Sequence, residues 1–149
     1  MTAITVRGLR KTYAGKAAVD SLDLDIGAGE CFALLGPNGA GKTTTVEILE
    51  GFRARDAGEV SVLGVDPGSA GLAWRDRVGI VLQSSTGMDL ATAREVLRRT
   101  AKAYRRPRDI DEVIDATGLT EKADDRVGRL SGGQRRRLDV ALGIIGSPE

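Results

Sequence analysis

The chain has no histidine and a single cysteine, Cys31, among its 149 residues. One cysteine excludes an internal disulfide framework, and its place in an apolar run marks it as a small buried hydrophobe. Long apolar runs are missing as well: none approaches the roughly 20 residues a helix needs to cross a bilayer. Charge of one dominant sign is absent, since the net charge is +1, so bulk charge does not imply nucleic acid or an anionic membrane. The opening residues 1–6 alternate like a strand and carry no basic stretch ahead of an apolar core, so a secretory leader is not expected. There is no internal repeat, low-complexity stretch or flexible linker. What remains is 41% apolar and 29% charged, an ordinary globular composition at a length that supports one domain with a real core.

Alternation over 4–9 and again over 18–26, in Val19, Leu22, Leu24 and Ile26, predicts strands of a β layer. Gly27-Ala28-Gly29 is a turn signal leading into Cys31-Phe32-Ala33-Leu34-Leu35, which reads as a buried strand. Gly51 is placed to stop a helix, and 58–64 reads as a strand between glycines. Ser69 is placed to cap a short helix through Trp74, a packing residue, and Arg75. Residues 79–82 read as a short buried strand ending at Gln83. From Met88 the pattern turns helical. Thr92 and Glu95 form a capping-box sequence ahead of Val96, Leu97, Ala101 and Tyr104, with Arg105-Arg106-Pro107 as the break. Asp109 opens a second helix with Val113, Ile114 and Ala116 on its apolar face and Gly118 as its stop. Ser131 and Gln134 cap a third, carrying Leu138, Val140, Ala141, Leu142, Ile144 and Ile145 and ended by Gly146-Ser147-Pro148. Strands first and helices later indicate an α/β fold with an accessory antiparallel β layer and a helical insertion.

Between the apolar run and the first helix stands Gly36-Pro37-Asn38-Gly39-Ala40-Gly41-Lys42-Thr43, followed by Thr44. This is G-x-x-x-x-G-K-[ST] with a strand pattern before it and a helix pattern after it. Glycines let the backbone curl so that successive N–H groups point inward at phosphate oxygens. The helix start adds unpaired N–H donors and the positive end of its dipole. Lys42 then supplies a point charge to the β- and γ-phosphates, and Thr43 a hydroxyl to Mg²⁺. An ordinary glycine turn is the bland alternative, but the complete, correctly flanked pattern implies ATP or GTP.

Leu130-Ser131-Gly132-Gly133-Gln134 is a second helix start with a serine hydroxyl and glycines that allow close backbone approach. Alone it would read as a plain cap. Together with the first loop it resembles the ATP-binding cassette (ABC) family of P-loop NTPases, whose signature is L-S-G-G-Q. The resemblance runs the whole chain. Tyr13 falls where the family has its adenine-stacking aromatic, Gln83 where it has its Q-loop glutamine, and Arg135-Arg136-Arg137-Leu138 follows the signature as in many members. Glu50-Gly51-Phe52, Gly64-Val65-Asp66-Pro67 and residues 79–83 look most like the drug-exporter branch related to daunorubicin-resistance proteins.

The resemblance implies an ATP site at Gly36–Thr44 with Tyr13 on the adenine, and Mg²⁺ near Thr43 and Gln83. Leu130 to Gln134 would contact the nucleotide of a second copy in a head-to-tail dimer. It also implies a transmembrane permease partner and a peripheral place at the cytoplasmic face of the membrane, with no nucleic-acid partner. About 1–83 would be β layer and P-loop core, about 88–130 a helical subdomain, and 131–149 the signature helix. The family's acidic strand (Walker B), with its Mg²⁺ ligand and catalytic base, has no counterpart: the acids Asp109, Asp111, Glu112, Asp115, Asp124 and Asp125 follow no buried strand. Its γ-phosphate histidine is missing too. The chain therefore resembles the first half to two-thirds of a cassette, no catalytic residue is identified within it, and turnover by this chain alone is not expected. The lost strand is expected to leave the faces of Leu138, Leu142 and Ile145 exposed.

Three rivals stand beside transport. Chromosome-type ATPases place a long coiled coil between glutamine and signature, whereas only the 46 residues 84–129 intervene here, without heptads. A translation-associated ABC protein, or a nucleotide-binding fragment without turnover, remains. Arg135 to Arg137 tempt a nucleic-acid reading, but so short a basic run is more often a solvated or salt-bridged face.

Overall fold

A computed structural model describes residues 1–82 and 88–149, which form two compact units, Met1–Gly71 and Leu72–Glu149. In the first, strands β1 (Thr2–Tyr13) and β2 (Lys16–Gly27) form a hairpin, and β3 (Ala57–Val62) pairs on the other side of β1. The order is β2-β1-β3, antiparallel throughout. The hairpin closes through Ala14 (φ 47°) and Gly15 (φ 78°). Positive φ at both central residues gives a turn whose twist matches that of the flanking strands. Val6 and Leu9, three apart, are both fully buried, which a strict two-residue period forbids. A bulge at Gly8 (φ 56°) supplies the extra residue, and the register shifts between Val6 and Leu9. Asp23 accepts the displaced Gly8 N–H at 2.6 Å.

Helix α1 (Lys42–Leu49) buries Thr45 and Ile48 and packs on β2 and β3. Gly51 ends it in the left-handed region at φ 75°; the Gly51 and Phe52 N–H groups donate back to Ile48 O at 3.1 Å and Glu47 O at 2.9 Å. A Cβ at Gly51 would stand 2.7 Å from the Pro67 carbonyl oxygen, so the stop read from sequence also meets a packing demand.

The run 31–35 is not a strand. Cys31, Phe32, Ala33 and Leu35 are exposed and Leu34 half-buried, so the expected buried cysteine is instead a free, exposed thiol. An isolated apolar run has no ladder to join, and no strand among the described residues pairs with it. The same holds for 79–82, where Val81 and Leu82 are exposed. The sheet of the described residues is thus wholly antiparallel. Ser69 ends a short 3₁₀ turn, Pro67–Ser69, that is capped by Asp66 through the Gly68 N–H at 2.9 Å; Ser69 does not cap the following helix.

The second unit holds α2 (Leu72–Arg75), α3 (Ala93–Ala101), α4 (Ile110–Ala116) and α5 (Gly132–Ile144). Trp74 is buried on α2. Thr92 and Glu95 close the capping box of α3, and Asp109 caps α4 through the Asp111 and Glu112 N–H groups. Helix α3 stops at Ala101, before the Arg105–Pro107 break. Leu97, Val113, Leu119, Val127, Leu138 and Ile145 form the middle of one core. Each such side chain contributes roughly 1.5–3 kcal/mol when fully buried. Leu138 and Ile145, expected to be uncovered, are buried because α3 and α4 pack on α5, with Leu142 partly buried against the same cluster. The apolar residues left exposed are others, including Phe32, Leu35, Val81, Leu82 and Val140.

Candidate nucleotide-binding site

The phosphate-loop motif folds as a turn that delivers the chain into α1. Ala40 N–H donates to Pro37 O at 3.2 Å, and Gly39 stands at φ 83°. Gly41 occupies the position before the helix at φ 79°, and a Cβ there would run into the Ala18 carbonyl oxygen. Glycine is therefore required at this point twice over, by conformation and by the closeness of β2. No side chain caps α1, so its first N–H donors are left without a side-chain acceptor. Thr45 Oγ1 donates to Gly41 O at 2.9 Å and pins the first turn.

Lys42 Nζ donates to Gly36 O and Pro37 O, both at 2.7 Å. The ammonium thus curls back over its own loop, from Gly36 to Thr44, with Asn38, Ala40 and Thr43 exposed beside it and Thr44 half-buried. A cation and free helix-start donors ringing an open turn fit a phosphate chain. Among the described residues no group of three or more His, Cys, Asp or Glu could hold a metal ion. Mg²⁺ fits such a place through phosphate oxygens and water, with Thr43 as one neutral protein ligand.

Tyr13 ends β1 at the hairpin tip with 40% of its surface exposed. Two cations lie over its ring: Lys11 Nζ at 5.6 Å and the Arg53 guanidinium at 5.5 Å from the centroid. Lys11 is bonded to Asp56 at 2.7 Å and Arg53 to Glu47 of α1 at 2.6 Å. Burial, and then the nearby Glu47 charge, push the Glu50 carboxyl at the end of that helix above its ordinary value. The approach of Arg53 and Lys11 to Tyr13 was not legible in the sequence. Arg53 reaches Tyr13 only because the chain leaving α1 returns along β1, where Asp56 N–H donates to Arg10 O at 2.9 Å, and no local pattern encodes that return.

The second motif belongs to the other unit. Ser131 Oγ accepts the Gln134 N–H at 3.3 Å, and Gln134 Oε1 accepts the Ser131 N–H at 2.9 Å. Leu130 is buried and anchors the turn, while Ser131, Gly132 and Gly133 are exposed. Cβ atoms at Gly132 and Gly133 would meet nothing within 4 Å. The basic run after them is engaged with its own chain: Arg135 with Val127 O at 3.2 Å, Arg136 with Leu82 O at 2.6 Å, and Arg137 with Gly118 O at 3.2 Å. Gln83 lies outside the described residues.

Residues 19–149 match the family described as ABC transporter. The chain belongs to that family. It is 40% identical over 152 residues to the Nod factor export ATP-binding protein I of Rhizobium sp. (strain N33), which covers 99% of this chain and 50% of that protein. With the protein of the same name from Rhizobium johnstonii the figures are 42% over 154 residues, 99% and 49%. The chain spans about half the length of the curated relatives it matches. Among solved structures, cbiO1 from Clostridium perfringens, part of the ABC transporter complex cbiONQ, superposes with a TM-score of 0.84 at 26% identity, covering 99% of this chain and 62% of that one. An ATP-binding cassette of an ABC transporter in its ADP conformation gives 0.83 at 20% identity, with 99% and 66% covered; at that identity the likeness is one of fold. The fold is that of the ABC ATPase cassettes, α/β with an antiparallel sheet.

Proposed function

We propose that this chain is ATP-binding machinery of an ABC exporter for a small molecule or drug. ATP is held by Gly36 to Thr44 with Tyr13 on the adenine, and Mg²⁺ by Thr43 and Gln83. Leu130 to Gln134 face the nucleotide of a second copy in a head-to-tail dimer, whose closure drives a transmembrane permease from the cytoplasmic face of the membrane. Residues 1–149 act as one part of a cassette domain, with the β layer and loop core up to about 83, a helical subdomain over about 88–130 and the signature helix from 131. Among the described residues no helix is long and apolar enough to cross a membrane, so contact with the bilayer in this reading comes through the permease.

The observation that carries the reading is the pair of helix starts. Gly41 is glycine because its own fold demands it, whereas Gly132 and Gly133 meet open space. Glycines without an internal steric reason, at an exposed serine-capped helix start, suit a backbone that something outside the chain must approach closely. A triphosphate from a second copy is such an approach. Export, and the daunorubicin-like branch, are supported by the segments 50–52, 64–67 and 79–83 and by relatives named for export.

By itself the 149-residue chain is proposed to bind without appreciable turnover, because phosphoryl transfer needs an acid to hold Mg²⁺ and a base to orient water, and the described residues offer neither after a buried strand. Phosphate release and oligomeric state, measured together with and without ATP, test this. Robust Lys42-dependent turnover by a monomer would contradict it.

A further inference from the structure

Tyr13 and the phosphate loop are built on different elements, β1 and α1, yet a nucleotide lying across both fixes the distance between its base and its phosphates. The Arg53 side chain links the two elements. Arg53 is tied to Glu47 twice, by its Nε at 2.6 Å from the carboxylate and by its backbone N–H at 3.1 Å from the Glu47 carbonyl. Glu47 lies on α1, the helix that begins with Lys42. The same guanidinium stands over the Tyr13 ring at 5.5 Å. Lys11, the other cation over that ring, sits on β1 itself and is bonded to Asp56, so it moves with the strand and sets no distance to α1. A guanidinium is suited to the bridging task because its plane covers an aromatic face while its edge donates to a carboxylate.

We infer that Arg53 is a positioning residue for nucleobase recognition, coupling the Tyr13 ring to the phosphate-bearing helix through Glu47. The inference rests on the adenine-stacking reading of Tyr13. It assigns Arg53 no contact with phosphate, so its effect is confined to ligands that carry a base.

The test is calorimetric titration of the chain with MgATP and, separately, with inorganic tripolyphosphate. Arg53→Ala and Glu47→Gln each weaken ATP binding about threefold, the scale of one exposed cation–π contact. Both leave tripolyphosphate binding unchanged, which also shows that the loop is folded. Arg53→Lys, which keeps the charge without the plane, falls between Arg53→Ala and the parent. In a Tyr13→Ala background, Arg53→Ala costs nothing further. The inference is overturned if Arg53→Ala binds ATP like the parent, weakens both ligands alike, or costs the same with and without Tyr13. The two levels separate cleanly. If Tyr13→Ala binds ATP like the parent, the stacking reading fails and takes the inference with it; if Tyr13→Ala weakens ATP and Arg53→Ala does not, only the inference fails.

Discussion

Ser131 and Gln134 cap the same helix turn reciprocally, the hydroxyl accepting the Gln134 N–H at 3.3 Å and the amide oxygen accepting the Ser131 N–H at 2.9 Å. The serine therefore has a structural duty independent of any nucleotide. Ser131→Ala removes the hydroxyl from this box and should lower stability by about 1 kcal/mol. Urea unfolding of the parent and the variant checks it. An unchanged midpoint would mean that the cap contributes nothing.

Gly132 should behave in the opposite way. Its Cβ position is open and it stands in helical backbone at the start of α5, so Gly132→Ala should leave stability unchanged or raise it by up to about 1 kcal/mol. If the glycine serves approach by a second copy's nucleotide, the same variant should lose ATP-dependent self-association. Thermal melts and analytical ultracentrifugation with ATP read the two effects separately.

Gly41→Ala should be severe. It places a side chain at φ 79° against the Ala18 carbonyl, and a left-handed non-glycine residue alone costs about 1–3 kcal/mol. Denaturant unfolding should show a loss above about 2 kcal/mol, since strain and clash act together. Gly39→Ala, with positive φ but nothing within 4 Å, should lose less, and the difference between the two isolates the contact with β2.

Asp56 gives the chain an acid-sensitive point. The Lys11 ammonium, followed by the Thr12 hydroxyl and N–H, holds its carboxyl down at about 2 from an ordinary value of 3.8. A carboxylate with a lowered folded value stabilises the protein above its unfolded value and loses that contribution as pH falls through the folded one. Stability should therefore decline between about pH 4 and pH 2, and Asp56→Asn should decline less steeply over the same window. Melting temperatures at pH 5, 3 and 2 check the slopes; parallel slopes would remove Asp56 from the account.

Helix caps were the most legible part of this chain. Thr92 with Glu95, Asp109, and Ser131 with Gln134 act within three residues of themselves, so sequence spacing alone contains the geometry. The hairpin was legible in its alternation but not in its bulge, because Gly8 looks like any strand glycine until Val6 and Leu9 are seen to share a face. The runs 31–35 and 79–82 misled for a different reason. Apolar content predicts burial, but a strand exists only beside another strand, and a single run cannot reveal its partner. The phosphate loop and signature were plain as motifs. Arg53 was not, since the long return from α1 to the tip of β1 leaves no local trace.

The central claim is that Gly36 to Thr44 cradle the triphosphate of ATP, with Lys42 as the charge that faces it. In the structure that ammonium is satisfied by Gly36 O and Pro37 O at 2.7 Å, so phosphate must exchange for two neutral carbonyl partners. A charge-assisted hydrogen bond to phosphate is typically worth about 1.5–3 kcal/mol. Calorimetric titration of the parent chain and of Lys42→Ala with MgATP is the direct measurement. The account predicts saturable binding at one site per chain, weakened by roughly ten- to a hundredfold in the variant, from that same energy range. Equal affinity in parent and variant would contradict it.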